Sequence, residues 1–333
     1  MQSRMIGKTG LRVSEIGFGC GNNAVLMVKS SYEDQVRAVR HALDLGINYF
    51  DTAFAYGLRK SEENLGRILN QLKAPAVIST KIRLEADALT DIKAATIREV
   101  EAGLKRLQRN YVDLIQLHMR VVTGRQQNQR FGMTPGEILG RSGVLEGFNA
   151  MRDKGKVGYF GFTGLGDPAA LHEVIDSGAF HSFQAYYNLL NPSAGHPVPA
   201  AFSALDYGLL IDRAAAHSMG GGVIRVLAAG ALTSNPGAGG GSTPEPLSKG
   251  SEYSLDIQRA EKLKAALALD GQGMTQTAIR FGLMNPKVST VLVGFSNTAH
   301  IDEAVACSDA PPLSDEEMAE IENLWKTDFG RLN

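Results

Sequence analysis

Asn48-Tyr49-Phe50-Asp51-Thr52-Ala53-Phe54-Ala55-Tyr56-Gly57 is an apolar run that ends in an acid, followed five residues later by a tyrosine and a glycine. The order reads as strand, acid, loop, and then a helix opening near Ser61-Glu62-Glu63. In α/β proteins the active site lies at the C-terminal edge of the strands, which makes Asp51 and Tyr56 candidates for half of a catalytic group. The other half is expected at later strand ends.

Outward from that stretch the same alternation repeats. Residues 5–15 read as a hairpin turning at Lys8-Thr9-Gly10, and Ile16–Gly19 as a first buried strand. Helical periodicity covers 33–45, with Val36, Val39 and Leu43 on one face and Gly46 as its stop. Further strands are expected at 47–50, 76–80 (ending in Lys81), 111–117 (ending in His118), 157–162, 182–185, 222–226 and 289–293. Helices are expected at 61–71, 91–108, 143–154, 168–177, 199–217, 256–269, 275–284 and 298–307. A last helix starts at the capping box Ser314-Asp315-Glu316-Glu317. Eight buried strands, each followed by a helix, make a (β/α)8 barrel in one domain over 1–333, with an N-terminal hairpin and an extra C-terminal helix. The competing open doubly wound sheet would want a GxGxxG turn, and Gly17-Phe18-Gly19-Cys20-Gly21 does not continue as one. Two long loops interrupt the pattern: a polar one at 119–141 and a Gly/Pro/Ser-rich one at 233–252, which reads as a flexible active-site lid.

Composition narrows the function classes. The chain has 333 residues, 44% of them hydrophobic, and a net charge of −1, which argues against nucleic acid or anionic membrane as the main partner. No signal peptide and no bilayer-length apolar run is visible. Cys20 and Cys307 stand far apart, as expected of a reducing, cytoplasmic protein.

Asp51, Tyr56, Lys81 and His118 all fall at or just past the ends of the second, third and fourth strands. Free tyrosine titrates too high to be an efficient acid at neutral pH, and a neighbouring ammonium is expected to bring it down. An acid beside the lysine keeps that cation charged and placed, and a histidine can orient a substrate oxygen. Such a group suits a proton donor for carbonyl reduction or alcohol oxidation. Each residue alone has a plainer role: a loop carboxylate, a packing ring, a solvated charge, a core histidine. Only their joint placement points to chemistry.

These motifs resemble the aldo-keto reductases over nearly the whole length. The resemblance rests on Ile47–Ala53 with Tyr56-Gly57 and Ser61-Glu62, on Ser79-Thr80-Lys81, and on Tyr111–His118. It continues through Gly155–Gly161, Phe183–Leu190 and Val293–Ser296. It implies a (β/α)8 barrel, a nicotinamide cofactor at the C-terminal rim, Tyr56 as general acid, Lys81 and Asp51 as its tuners, and His118 as the substrate orienter. It also implies a small carbonyl or alcohol substrate (an aldehyde, ketone, sugar or lactol) and a monomer or small homo-oligomer.

The implied cofactor contacts depart from the family pattern in places. Thr163-Gly164 stands where the family has Ser-Asn to hold the carboxamide, with Gln184 as the third partner. Arg225-Val226-Leu227-Ala228-Ala229-Gly230 stands where the family places a stacking aromatic and the loop around the pyrophosphate, with Val226 in place of the ring. Arg225 is open to three readings: a phosphate partner, a pocket carboxylate partner, or a side chain reaching solvent. Gly294, Ser296 and Asn297 lead into the helix whose N-terminus would take the adenosine phosphate, beside His300 and Glu303. NADP is the family expectation, with NAD as the alternative. Val25, Phe54, Met119 and Tyr187 are candidate substrate walls. Arg120, Arg125, Arg130 and Arg141 could attract an anion or form a solvated loop face. A second function class is a cofactor-sensing regulatory subunit of the same fold, which binds without appreciable turnover.

Overall fold

The computed structural model describes residues 1–22, 25–125, 132–234, 236, 252–269 and 271–331. The expected lid therefore lies outside the described residues apart from 233, 234, 236 and 252, and so does Arg130.

Twelve strands are found among the described residues: β1 (Ser3–Met5), β2 (Arg12–Ser14), β3 (Ile16–Gly19), β4 (Tyr49–Asp51), β5 (Val77–Ile82), β6 (Val112–Leu117), β7 (Arg120–Val121), β8 (Gly132–Met133), β9 (Val157–Gly164), β10 (Ser182–Tyr186), β11 (Gly220–Ile224) and β12 (Thr290–Gly294). Eight of them close a parallel barrel in the order β3-β4-β5-β6-β9-β10-β11-β12, with β12 returning to β3. β1 and β2 form the expected antiparallel hairpin. The helices are α1 (Leu26–Lys29), α2 (Tyr32–Asp44), α3 (Lys60–Leu72), α4 (Ile92–Arg106), α5 (Pro135–Leu139), α6 (Val144–Asp153), α7 (Pro168–Asp176), α8 (Leu210–Ala216), α9 (Tyr253–Ala266), α10 (Gly271–Met284), α11 (Thr298–Ala306), α12 (Asp315–Lys326) and α13 (Asp328–Arg331).

The local reasons follow the sequence. Ser31 caps α2 by accepting from the Asp34 amide, and α2 turns Ala38, Val39 and Ala42 inward. Gly46 ends that helix at φ +90°, a conformation that costs glycine little. β3, β4 and the residue after β12 meet through aromatic rings: Phe18 lies 5.4 Å from Phe50 and 5.0 Å from Phe295. The hairpin plugs the bottom of the barrel. Arg4 donates to the carbonyls of Leu283, Asn285 and Val288 and pairs with Glu15 at 2.9 Å. The strand expected at 222–226 instead starts at Gly220, because a Cβ there would sit 2.0 Å from the Gly7 nitrogen; only bare backbone lets plug and strand meet. α12 docks through Trp325, whose Nε1 donates to the Leu189 carbonyl at 2.8 Å.

Two expectations change. The helix expected at 199–217 shortens to α8 at Leu210–Ala216. Upstream, side chains compete for the backbone: Asn191 Nδ2 and Ser193 Oγ both donate to the Leu205 carbonyl, and the Tyr207 amide donates to Ser193 Oγ. The loop at 119–141 carries structure of its own: the β7–β8 pair, and α5 with a capping box between Thr134 and Glu137. No described helix is long and apolar enough to cross a membrane.

Candidate active site

β4 delivers Asp51, and the loop behind it delivers Tyr56. β5 runs two residues further than expected, so Lys81 sits within the strand and points to the same rim. The Lys81 ammonium donates to Asp51 Oδ2 at 2.5 Å, to the Thr52 carbonyl at 3.0 Å and to the Tyr56 hydroxyl at 3.2 Å. Its three donors are thereby used, as a buried ammonium requires; Lys81 is 1% exposed. Gln184 Nε2 donates to the other Asp51 oxygen at 2.7 Å. Tyr56 accepts from Lys81 and donates to no acceptor among the described residues, which leaves its own proton to give. His118 stands edge-on to Tyr56, with ring centroids 6.0 Å apart.

The electrostatics differ from the sequence expectation in one respect. Lys81 does pull the Tyr56 pKa down, but loss of hydration pushes it up more strongly, and the phenol ends above its ordinary value. Burial depresses Lys81, yet Asp51 and then Tyr56 outweigh it, so the ammonium is held charged. Burial, then Lys81 and Arg83, hold His118 well below the usual histidine value. At neutral pH the group is therefore a phenol, an ammonium and a neutral imidazole.

A second layer braces this corner, built from residues that the sequence reading placed in the family motifs without giving them a role. Thr52 Oγ1 and Ser61 Oγ share a 2.7 Å hydrogen bond, and Ser61 Oγ also donates to the Cys20 carbonyl at 3.0 Å. Glu62 is 1% exposed and accepts from Thr80 at 2.6 Å and from Arg106 at 2.5 Å. Burial raises the Glu62 pKa against the pull of Arg106. The sequence signal for this layer was membership in the quoted motifs, Thr52 in Ile47–Ala53, Thr80 in Ser79-Thr80-Lys81 and the Ser61-Glu62 pair near the start of α3.

The residues expected to hold a cofactor divide. Thr163 and Gln184 are paired across β9 and β10. Thr163 Oγ1 is buried without a hydrogen-bond partner among the described residues, an orphaned group that suits a ligand amide. Gln184 gives its amide to Asp51, so it supports the carboxylate. At Gly164 a Cβ would lie 2.8 Å from the Gln184 carbonyl oxygen and 3.0 Å from Leu210, which explains why no asparagine side chain stands there. Arg225, Ala228 and Ala229 adopt φ values of 58°, 47° and 57°, so the stretch behind β11 holds a left-handed backbone that non-glycine residues resist. Within it Val226 is 1% exposed and turned into the core, so it offers no stacking face; Leu227 is half-buried. Gly294, Ser296, Asn297 and His300 are exposed, and Asn297 caps α11 by accepting from the His300 amide at 3.0 Å. Burial raises the pKa of Glu303 on the same helix.

The substrate walls are mostly corrected. Tyr187 is 1% exposed and stacks on Phe281 at 4.7 Å, inside an aromatic cluster with His196. Met119 is buried in the core at 2% exposure. Val25 caps α1 at φ 58° and is half-buried, while Leu26 and Met27 beside it turn inward. Phe54 is half-buried between the Arg59 and Arg106 guanidiniums, 5.4 and 5.2 Å from its ring. Arg125 pairs with Glu137, Arg141 is exposed, and Arg120 is exposed just past β6. The residue that does reach the rim is Tyr186. Gln184 faces the barrel interior, and a strand repeats its facing every second residue.

Residues 15–326 match the model of the Aldo/keto reductase family. The chain belongs to that family. It is 26% identical to an L-galactose dehydrogenase of Arabidopsis thaliana over 97% of this chain and 94% of that protein. It is 25% identical to a probable voltage-gated potassium channel subunit beta of the same plant, covering 94% of this chain and 93% of the other. An aldo-keto reductase from Bacillus halodurans, solved in its holo form, shares the fold with a TM-score of 0.74 and 23% identity, over 98% of this chain and 97% of that one. This member thus keeps the family's closed eight-stranded barrel and N-terminal hairpin.

Proposed function

We propose that the chain is a nicotinamide-dependent oxidoreductase that interconverts a small carbonyl compound and its alcohol, with Tyr56 as the proton donor and acceptor. The observation that carries this reading is the single ammonium that donates to both Asp51 and the Tyr56 hydroxyl. Tyr56 hands its proton to the carbonyl oxygen in reduction and takes it back in oxidation. Lys81 holds the phenol oxygen in place and stabilises the phenolate left behind, and Asp51, anchored by Gln184, keeps Lys81 aimed. His118, neutral at physiological pH, hydrogen-bonds the same substrate oxygen and fixes its angle. The cofactor, when bound, supplies or takes up the hydride. Thr163, the 225–230 stretch and the start of α11 would hold it: an unsatisfied hydroxyl, a strained backbone and a capped helix N-terminus. NADP is the proposed form and NAD the competing one, and the whole chain works as one barrel unit.

The relative named as a channel subunit supports a second reading, in which the same pocket senses the cofactor without appreciable turnover. One set of measurements separates the two. NADPH and NADH are titrated by fluorescence quenching, and the preferred form is then run against a panel of aldehydes, ketones and sugars. Turnover that falls about 10²- to 10⁴-fold in Tyr56→Phe is expected. Equal rates in that variant would refute the assigned acid. Tight cofactor binding with no turnover on the panel would favour the sensor.

A further inference from the structure

We propose that Arg225, Arg120, Tyr186 and Tyr207 form an anion subsite at the rim, which receives a carboxylate or phosphate carried by the carbonyl substrate. This deepens the oxidoreductase reading and rests on it. The placement is geometric. Tyr186 ends β10 on the same facing as Gln184, whose amide touches Asp51, so its ring lies above the candidate catalytic group. The Arg225 guanidinium lies 5.6 Å from the centre of that ring. The position of Arg225 is set by its backbone: φ is 58°, and its carbonyl accepts from Asn188 Nδ2 at 2.9 Å. Tyr207 packs edge-on to Tyr186, with centroids 6.3 Å apart, and is 3% exposed. Its backbone is held from both sides: its amide donates to Ser193 Oγ at 3.0 Å, and its carbonyl lies 3.0 Å from His172 Nε2.

Arg120 follows His118 by two residues, just past β6, and it makes no ion pair with a described residue. Arg120 and Arg225 both act on the Tyr207 phenol, and Tyr186 acts on that of Tyr56. The Arg225 guanidinium and the Tyr186 ring thus stand together above Tyr56, backed by the buried Tyr207, with Arg120 exposed just past β6. A fork of guanidinium donors suits a carboxylate or phosphate oxygen pair. The same chemistry could instead meet the cofactor's pyrophosphate, so the test separates the two.

Reduction of matched pairs is measured with the preferred cofactor: butanal against succinic semialdehyde, and glyceraldehyde against glyceraldehyde 3-phosphate. Wild type is expected to favour the charged member. Arg225→Gln is expected to cut the charged-to-neutral ratio of kcat/KM by roughly tenfold or more, mostly through KM, with Arg225→Lys recovering part of it. Arg120→Gln is expected to shift the ratio the same way by less. Binding of NADPH and NADH to each variant is measured alongside. A ratio unchanged in Arg225→Gln, with cofactor binding weakened, assigns the arginine to the pyrophosphate and overturns the proposal. Calorimetric titration of succinate and of inorganic phosphate reads the subsite without turnover. Binding to wild type that is lost in Arg225→Gln supports the subsite even if the oxidoreductase reading fails, and equal binding to both proteins overturns it.

Discussion

Two arcs of the barrel rim are built on opposite plans. On the β4–β5 side the three charged groups that build the corner are spent on other parts of the protein: Lys81 uses its three donors, Asp51 both its oxygens, and Glu62 both of its own. On the β9–β11 side, Thr163 Oγ1 has no partner among the described residues, and Arg225, Ala228 and Ala229 hold left-handed backbone. The first arc is finished before any ligand arrives, as a proton donor should be if its geometry is to cost nothing at the moment of reaction. The second keeps groups unsatisfied and strained, which a ligand can relieve. The contrast separates a place for chemistry from a place for binding.

The sharpest way to break the comparison is to empty the finished arc of its cation. Lys81→Met is expected to lower carbonyl reduction by about 10²- to 10⁴-fold. The sign for pH follows from its partners. Lys81 pulls the Tyr56 pKa down, so its loss lifts the phenol still higher. Alcohol oxidation, which needs the phenolate, should then lose more than reduction, and its optimum should move to higher pH. In the wild type, reduction should stay flat through neutral pH, because Tyr56 remains protonated and His118 stays neutral. Rate profiles in both directions check this, and a wild-type step near pH 6.5 would contradict it. A second cut goes to the brace beneath. Arg106→Met leaves the Glu62 carboxylate buried without its cation and should cost about 3–5 kcal/mol of stability, read by urea unfolding.

The other arc should respond in the opposite sense. Thr163→Val removes a hydroxyl that has no protein partner, so apo stability should hold or rise while cofactor binding weakens about two- to tenfold. Urea unfolding and fluorescence titration on the same preparation would show both halves; a large loss of apo stability would mean the hydroxyl is satisfied after all. The smallest effect is expected of Ala229→Gly, which relieves the left-handed conformation and should stabilise the apo protein by about 1 kcal/mol or less. Differential scanning calorimetry should then record a rise of at most a few degrees in Tm.

Much of this was legible residue by residue. The run ending at Asp51, the strand carrying Lys81 and the strand before His118 each announce their ends locally, because a buried parallel strand is a continuous apolar run and its polar terminus breaks the pattern. The substrate walls were not legible. Tyr186 and Tyr187 are neighbours of one type, and only the facing of Gln184 tells which ring reaches the rim and which enters the core. The helix expected over 199–217 failed for a related reason: its backbone partners, Asn191 and Ser193, are distant in sequence from the Leu205 carbonyl they take.

By itself the chain's order of apolar runs and polar stops determined an eight-fold alternation and put an acid, a phenol, an ammonium and an imidazole at one end of it. These are local properties, carried by periodicity and by the residue at each strand end. Tertiary structure decided what those groups experience. Closure of the barrel strips water from Tyr56 and raises its pKa despite the adjacent ammonium, and it turns Gln184 toward Asp51. Hydration and facing depend on every strand at once, so no window of sequence contains them.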